Sequence, residues 1–134
     1  MAKLVDVEGI GPKYADTLKK AGIRSTHDLL KKGGTPEGRK KIVKDSGISS
    51  KLILEWVNHV DLFRIKGVGS EYADLLEEAG VDSVVELAKR TPKNLFEAML
   101  ATNVKKKLVR IAPALVKVEK WVAQAKKLPR AVSH

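Results

Sequence analysis

The sequence predicts an all-α fold in which one helical unit is written twice, with about four helices per copy. Three observations carry this expectation: a block of residues recurs, helix start and stop signals fall at matching places in both copies, and no segment sustains strand-like alternation. Val7-Glu8-Gly9-Ile10-Gly11-Pro12-Lys13-Tyr14-Ala15-Asp16 returns as Ile65-Lys66-Gly67-Val68-Gly69-Ser70-Glu71-Tyr72-Ala73-Asp74, an offset of 58. Between 7–31 and 65–89, 11 of 25 positions are identical. Thr35-Pro36 matches Thr91-Pro92 once the offset slips by two. The chain therefore divides into copies at 1–64 and 65–128, with 129–134 expected to be a frayed tail.

The first helix of each copy is set by apolar residues three to four apart: Tyr14, Ala15, Leu18 and Ala21, then Tyr72, Ala73, Leu76 and Ala79. Gly22 and Gly80 end these helices as left-handed residues, with Ile23 and Val81 expected to fold back onto Leu18 and Leu76. Ser25 and Ser83 are N-caps for the second helix, Ser83 forming a capping box with Glu86. Thr35-Pro36 and Thr91-Pro92 supply an N-cap and a first-turn proline for the third. That helix is expected to stop at Gly47 in the first copy and at Asn103 in the second, asparagine replacing glycine where φ is positive. In the fourth, Leu52, Ile53, Trp56, Val57 and Val60 form one apolar face. Its counterpart, from Leu108 to Leu128, is interrupted by Pro113, so a kink or break is expected near Ala112.

Composition narrows the function. With 43% apolar residues the chain has material for a packed core, and with no cysteine it has no disulfide, thiol nucleophile or thiolate metal site. Neither a signal peptide nor a membrane span is read from the sequence, and a cytoplasmic location is expected. The 26 Lys and Arg against 16 Asp and Glu give a net charge of +10, which favours polyanionic partners. Twenty of those 26 cations are lysine, suited to diffuse phosphate contacts more than to bidentate reading of bases. Aromatics at 4% are too few for a platform that stacks single-stranded bases.

Four short connections share one chemistry: Gly9-Ile10-Gly11, Gly47-Ile48-Ser49, Gly67-Val68-Gly69 and Asn103-Val104-Lys105. The first residue is expected to end one helix, the apolar second to plug into the core, and the third to cap the next helix. Such a turn aims unpaired backbone N–H groups outward where the helix dipole is positive, which suits an anion. Lys13 follows the first connection, Lys51 the second, and Lys105, Lys106 and Lys107 form the fourth. The third lies in an acidic stretch, with six acids and no bases from Glu71 to Glu86. No phosphate is assigned to it.

The pattern Val-x-Gly-Ile-Gly-Pro-x-x-Ala-x-x-Leu-x-x-Ala-Gly-Ile resembles the helix-hairpin-helix motif of DNA repair and recombination proteins. Each copy, through Thr-Pro to Gly-Ile-Ser, is similar to the N-terminal helical domain of archaeal RadA-type recombinases. The tandem arrangement resembles an uncharacterised bacterial family defined only as a domain of unknown function with this motif. The resemblance covers roughly residues 4–128 and implies SAM-domain-like helical bundles. It implies that hairpin amides and a nearby lysine hold duplex phosphates without reading sequence, although some relatives of this fold bind only proteins. Carried onto this chain, the binding residues are Gly9, Ile10, Gly11 and Lys13; Gly47, Ile48, Ser49 and Lys51; and Lys105, Lys106 and Lys107.

The remaining residues offer no catalytic grouping. His27, His59 and His134 are scattered, and the acids show no paired arrangement. Tyr14, Tyr72, Trp56 and Trp121 are expected in the core, and Leu54 and Leu62, off the main face of their helix, against the second copy. No enzyme activity, metal, cofactor or small-molecule substrate is implied. The leading expectation is non-sequence-specific binding of duplex DNA or structured nucleic acid. The alternative is a protein-interaction adaptor, using the acidic 71–86 surface or the basic terminal helix.

Overall fold

The computed structural model of the protein describes residues 3–134. All regular structure among them is helical: a short 3₁₀ turn at Leu4–Asp6, then α1 (Pro12–Lys20), α2 (Thr26–Gly33), α3 (Pro36–Ser46), α4 (Ser50–Leu62), α5 (Ser70–Glu78), α6 (Val84–Ala88), α7 (Pro92–Lys106) and α8 (Leu115–Lys127). Among the described residues no helix is long and apolar enough to cross a membrane. The chain forms two compact units. The first extends to Asp61 and takes in Ala131–His134; the second is Leu62–Arg130.

Unit 1 packs α1 on α3 and α2 on α3, while unit 2 packs α5 on α7 and both α6 and α7 on α8. Leu18, Ile23, Leu29, Ile53 and Trp56 are among the fully buried side chains of unit 1. Unit 2 has its own core, which includes Leu62, Ile65, Leu76, Leu87, Leu95, Met99 and Trp121. Each fully buried aliphatic of this size contributes roughly 1.5–3 kcal/mol through removal from water. The amphipathic spacing read from the sequence thus becomes the buried face of each helix.

The first helices end as expected. Gly22 (φ +89°) and Gly80 (φ +101°) are left-handed. The Ile23 amide donates to the Leu18 carbonyl at 2.8 Å and the Val81 amide to Leu76 at 2.8 Å. With Gly22 to Lys19 and Gly80 to Glu77, both at 3.0 Å, these are the two nested bonds of a Schellman stop. A cation then covers each stop. Lys32 Nζ donates to the Gly22 carbonyl at 2.9 Å, and Arg90 donates to the Gly80 and Ala79 carbonyls at 3.4 and 3.5 Å. Ser25 Oγ accepts from the Asp28 amide and Ser83 Oγ from Glu86, at 3.1 and 3.3 Å. Thr35 caps α3 through the Gly38 amide at 3.1 Å, whereas Thr91 occupies the N-cap of α7 without a side-chain bond.

Three local expectations change, and the break expected near Ala112 is present. The left-handed stop of α7 is not Asn103 but Lys107 (φ 50°), whose amide donates to the Asn103 carbonyl at 2.8 Å. Asn103 works through its side chain instead: Oδ1 accepts from the Val109 amide at 3.0 Å and Nδ2 donates to the Val109 carbonyl at 3.1 Å. Around Pro113 the chain leaves the helix altogether, and residues 107–114 form an irregular link to α8. Tyr14 is not a core ring. It is 40% exposed and leans edge-on against Trp56, with centroids 5.1 Å apart. Finally, the last residues are not frayed: Val132 is 2% exposed, and the Ser133 amide donates to the Gly34 carbonyl at 2.8 Å.

Candidate nucleic-acid interface

At the first connection the Ile10 amide donates to the Val7 carbonyl at 3.0 Å, closing a turn whose third residue, Gly9, has φ +90°. An L side chain rarely adopts that conformation. A β-carbon on Gly9 would also lie 3.1 Å from Trp56 Nε1. Ile10 is 3% exposed and anchors the turn in the core. Gly11 then takes the N-cap of α1 in extended conformation, with Pro12 in the first turn and no side-chain cap. The amides of Gly11, Lys13 and Tyr14 belong to the group that no helical carbonyl reaches, and Pro12 has none. Their partial positive charge combines with exposed Lys13.

Gly11 is a different kind of glycine from Gly9. Its φ of −83° suits any residue, and a β-carbon there meets nothing within 4 Å. The fold does not need a glycine here; the open space lies where a ligand would approach the amides.

The second connection turns at Gly47 (φ +74°) and buries Ile48. Serine hydroxyls occupy part of its donor set. Ser46 Oγ accepts from the Ile48 amide at 3.1 Å, and Ser49 Oγ from the Leu52 amide at 3.3 Å. The Ser50 and Lys51 amides lie in the first turn of α4, and both residues are exposed. Lys51 and Ser50 line a cleft of about 510 Å³ with Pro36, Arg39, Lys40, Val43 and Leu54. Lys40 of α3 thus lines the same cleft as Lys51 of α4, and the two glycine connections followed by a lysine in the next helical turn both lie in unit 1.

The third connection has the geometry of the first. Val68 donates to Ile65 at 3.1 Å, Gly67 has φ +94°, and a β-carbon on Gly67 would lie 3.2 Å from Trp121 Nε1. Gly69 is an uncapped, extended N-cap. Tyr72 packs on Trp121 at 5.3 Å, as Tyr14 does on Trp56. The charge differs: exposed Glu71 stands in the first turn where Lys13 stands in α1. Gln124 clamps the turn, accepting from the Lys66 amide at 2.9 Å. Sequence reasoning missed Gln124, Lys32 and Arg90, because their partners lie ten or more residues away.

The fourth connection does not exist as read. Asn103, Val104, Lys105 and Lys106 are all within α7, so Lys105 and Lys106 lie in its last turn. In a last turn the amides are bonded to carbonyls one turn back and the helix end is negative, so they cannot cradle an anion as those of Gly11 and Lys13 can. Lys106 instead ion-pairs with Glu78. Lys107 and Arg110 share a cleft of about 550 Å³ with Glu71, Asn103, Leu108 and Val109. The basic run thus returns toward the acidic stretch of its own unit. The placement of Asn103 caused the misreading: its side chain stabilises a loop by bonding Val109, a role that resembles a positive-φ cap in sequence but not in backbone.

No curated protein and no solved structure matches the chain. The family model described as Domain of unknown function (DUF4332) matches residues 8–128.

Proposed function

The chain belongs to the family Domain of unknown function (DUF4332), and from that premise we propose that it binds duplex DNA, or similarly structured nucleic acid, without reading sequence. The glycine turns are read as helix-hairpin-helix elements, and unit 1 as the binding unit. One observation carries this reading: a left-handed Gly9 turn delivers an uncapped helix N-terminus with Lys13 in its first turn. The second turn adds Lys51 and Lys40 beside one cleft. Backbone donors and lysines address phosphates alone, so affinity should be uniform across sequences and steeply salt-dependent.

A salt-titrated mobility-shift assay on a mixed-sequence duplex tests this. Each neutralised phosphate contributes about −0.9 to the log–log slope. Lys13→Glu combined with Lys51→Glu should weaken binding and flatten the slope. No binding at low salt, or unchanged binding by the double variant, overturns the proposal.

A second reading, a protein-interaction adaptor, draws on unit 2. Val104, Ile111 and Val116 are 77%, 78% and 58% exposed, among Lys105, Arg110 and Lys117. Apolar side chains exposed beside cations suit an acidic amphipathic partner. Under this reading a protein co-purifies stoichiometrically after nuclease treatment and is lost on Ile111→Ser.

A further inference from the structure

The two sequence copies differ in length between the second and third helices. Copy one reads Lys31-Lys32-Gly33-Gly34-Thr35-Pro36, whereas copy two reads Lys89-Arg90-Thr91-Pro92. Gly33-Gly34 is therefore an insertion particular to copy one. Three residues beyond each proline, copy one has Arg39 where copy two has Leu95. Leu95 is fully buried, as the apolar stripe requires. Arg39 is only 9% exposed, so copy one places a guanidinium in a core position.

Both departures meet at one place. Arg39 donates to the Gly33 carbonyl at 2.9 Å and to the Ser133 carbonyl at 2.7 Å. The Gly34 carbonyl accepts from the Ser133 amide at 2.8 Å, with the Ser133 hydroxyl at 3.3 Å. A β-carbon on Gly34 would stand 2.5 Å from the Ala131 carbonyl oxygen, and one on Gly33 2.7 Å from Val57 Cγ2. A larger residue at 34 would hold the segment off, whereas one at 33 would press on α4 instead. Val132 is buried, and His134 Nε2 lies 3.3 Å from Asn58 Oδ1. Residues 131–134 are thus gripped by main-chain pairing, one apolar plug and a charged side chain, as a bound peptide is.

Arg39 also lines the cleft that holds Lys40, Ser50 and Lys51 beside the second turn. While the segment is docked, two of its donor nitrogens are engaged by carbonyls. We infer that Gly33, Gly34 and Arg39 form a dock for the chain's own segment 131–134, and that docking withholds Arg39 from the cationic rim of the second turn. Release frees the Nη2 side of the guanidinium for that rim while Nη1 keeps the Gly33 carbonyl, so the segment acts as a strap that lowers phosphate affinity. The dock stands on geometry alone; its effect on affinity rests on the duplex-binding reading.

Two variants of the full chain separate the parts. Val132→Ser removes the plug without adding charge. Arg39→Leu installs the residue that copy two carries at the matching buried position. Both should raise amide hydrogen exchange at Ser133 at least about tenfold, while α3 and α4 exchange as before. Only Val132→Ser should then bind a mixed-sequence duplex more tightly, by about threefold, the scale of one exposed charge contact. Unchanged Ser133 exchange in either variant overturns the dock. An equal affinity gain in both variants, or a gain in neither, overturns the withholding of Arg39. If wild type and variants alike fail to bind duplex, the duplex-binding reading falls, and the withholding falls with it. The dock is still decided by exchange.

Discussion

Trp56 Nε1 lies 3.1 Å from the point where a β-carbon on Gly9 would stand, and Trp121 has the same relation to Gly67 at 3.2 Å. Each turn is therefore constrained twice, by a φ near +90° and by an indole against its open side. Gly9→Ala should lower stability by about 1–2 kcal/mol from the left-handed strain, with more added by the indole contact. Gly67→Ala should cost a similar amount. Thermal or urea denaturation checks this, and a neutral Gly9→Ala would show that the turn is not held in this conformation.

Gly11 predicts effects of opposite sign on stability and binding. Its extended backbone accepts any residue, and nothing stands within 4 Å of a β-carbon there. Gly11→Asp supplies the missing N-cap carboxylate, so stability should rise by a few tenths to about 1 kcal/mol. The same carboxylate occupies the amides and repels phosphate, so duplex affinity should fall by about tenfold or more. Paired denaturation and DNA titrations read both. Affinity unchanged in a stabilised Gly11→Asp protein would remove this turn from the interface.

Much of the fold was legible because its signals are local. Ile23 with Leu18, Ser25 with Asp28, and Thr35 with Gly38 each act across three to five residues, and spacing alone reveals them. The first three turns were legible for the same reason. Partners remote in sequence were not. The Lys32–Gly22 and Gln124–Lys66 bonds and the docking of Ser133 on Gly34 depend on how helices pack, which no periodicity encodes. Asn103 failed differently, because asparagine ends helices in two ways, by tolerating positive φ or by bonding loop backbone, and the two look alike in sequence.

Those two roles make contrary predictions for Asn103→Gly. A left-handed asparagine would be replaced by glycine at no cost or with a gain. Here residue 103 is helical and its side chain makes both bonds to Val109. Glycine then loses two hydrogen bonds, worth about 0.5–1.5 kcal/mol each, and adds a few tenths of a kcal/mol of helix cost over asparagine. Asn103→Gly should destabilise unit 2 by about 1–3 kcal/mol on those same figures, visible as an earlier denaturation transition. Faster amide exchange at Val109 should accompany it.

The two tryptophans give a direct test of which turn meets a phosphate. Trp56 lies under the Gly9 turn with Lys13 nearby in sequence, whereas Trp121 lies under the Gly67 turn with Glu71 in the corresponding place. Both indoles are almost fully buried, at 1% and 2% exposure, and each has a tyrosine packed on it. A phosphate seated on the first turn brings negative charge close to Trp56 and should shift its emission. Like-charge repulsion from Glu71 should keep phosphate from the third turn, so Trp121 should not respond. Trp121→Phe leaves Trp56 as reporter, and Trp56→Phe leaves Trp121. Each change trims a core ring and costs stability, so both titrations belong well below the melting transition. A saturable, salt-sensitive shift in Trp121→Phe with none in Trp56→Phe is the expected result. Equal shifts in both would show that the acid at 71 does not exclude phosphate and that charge does not distinguish the two turns.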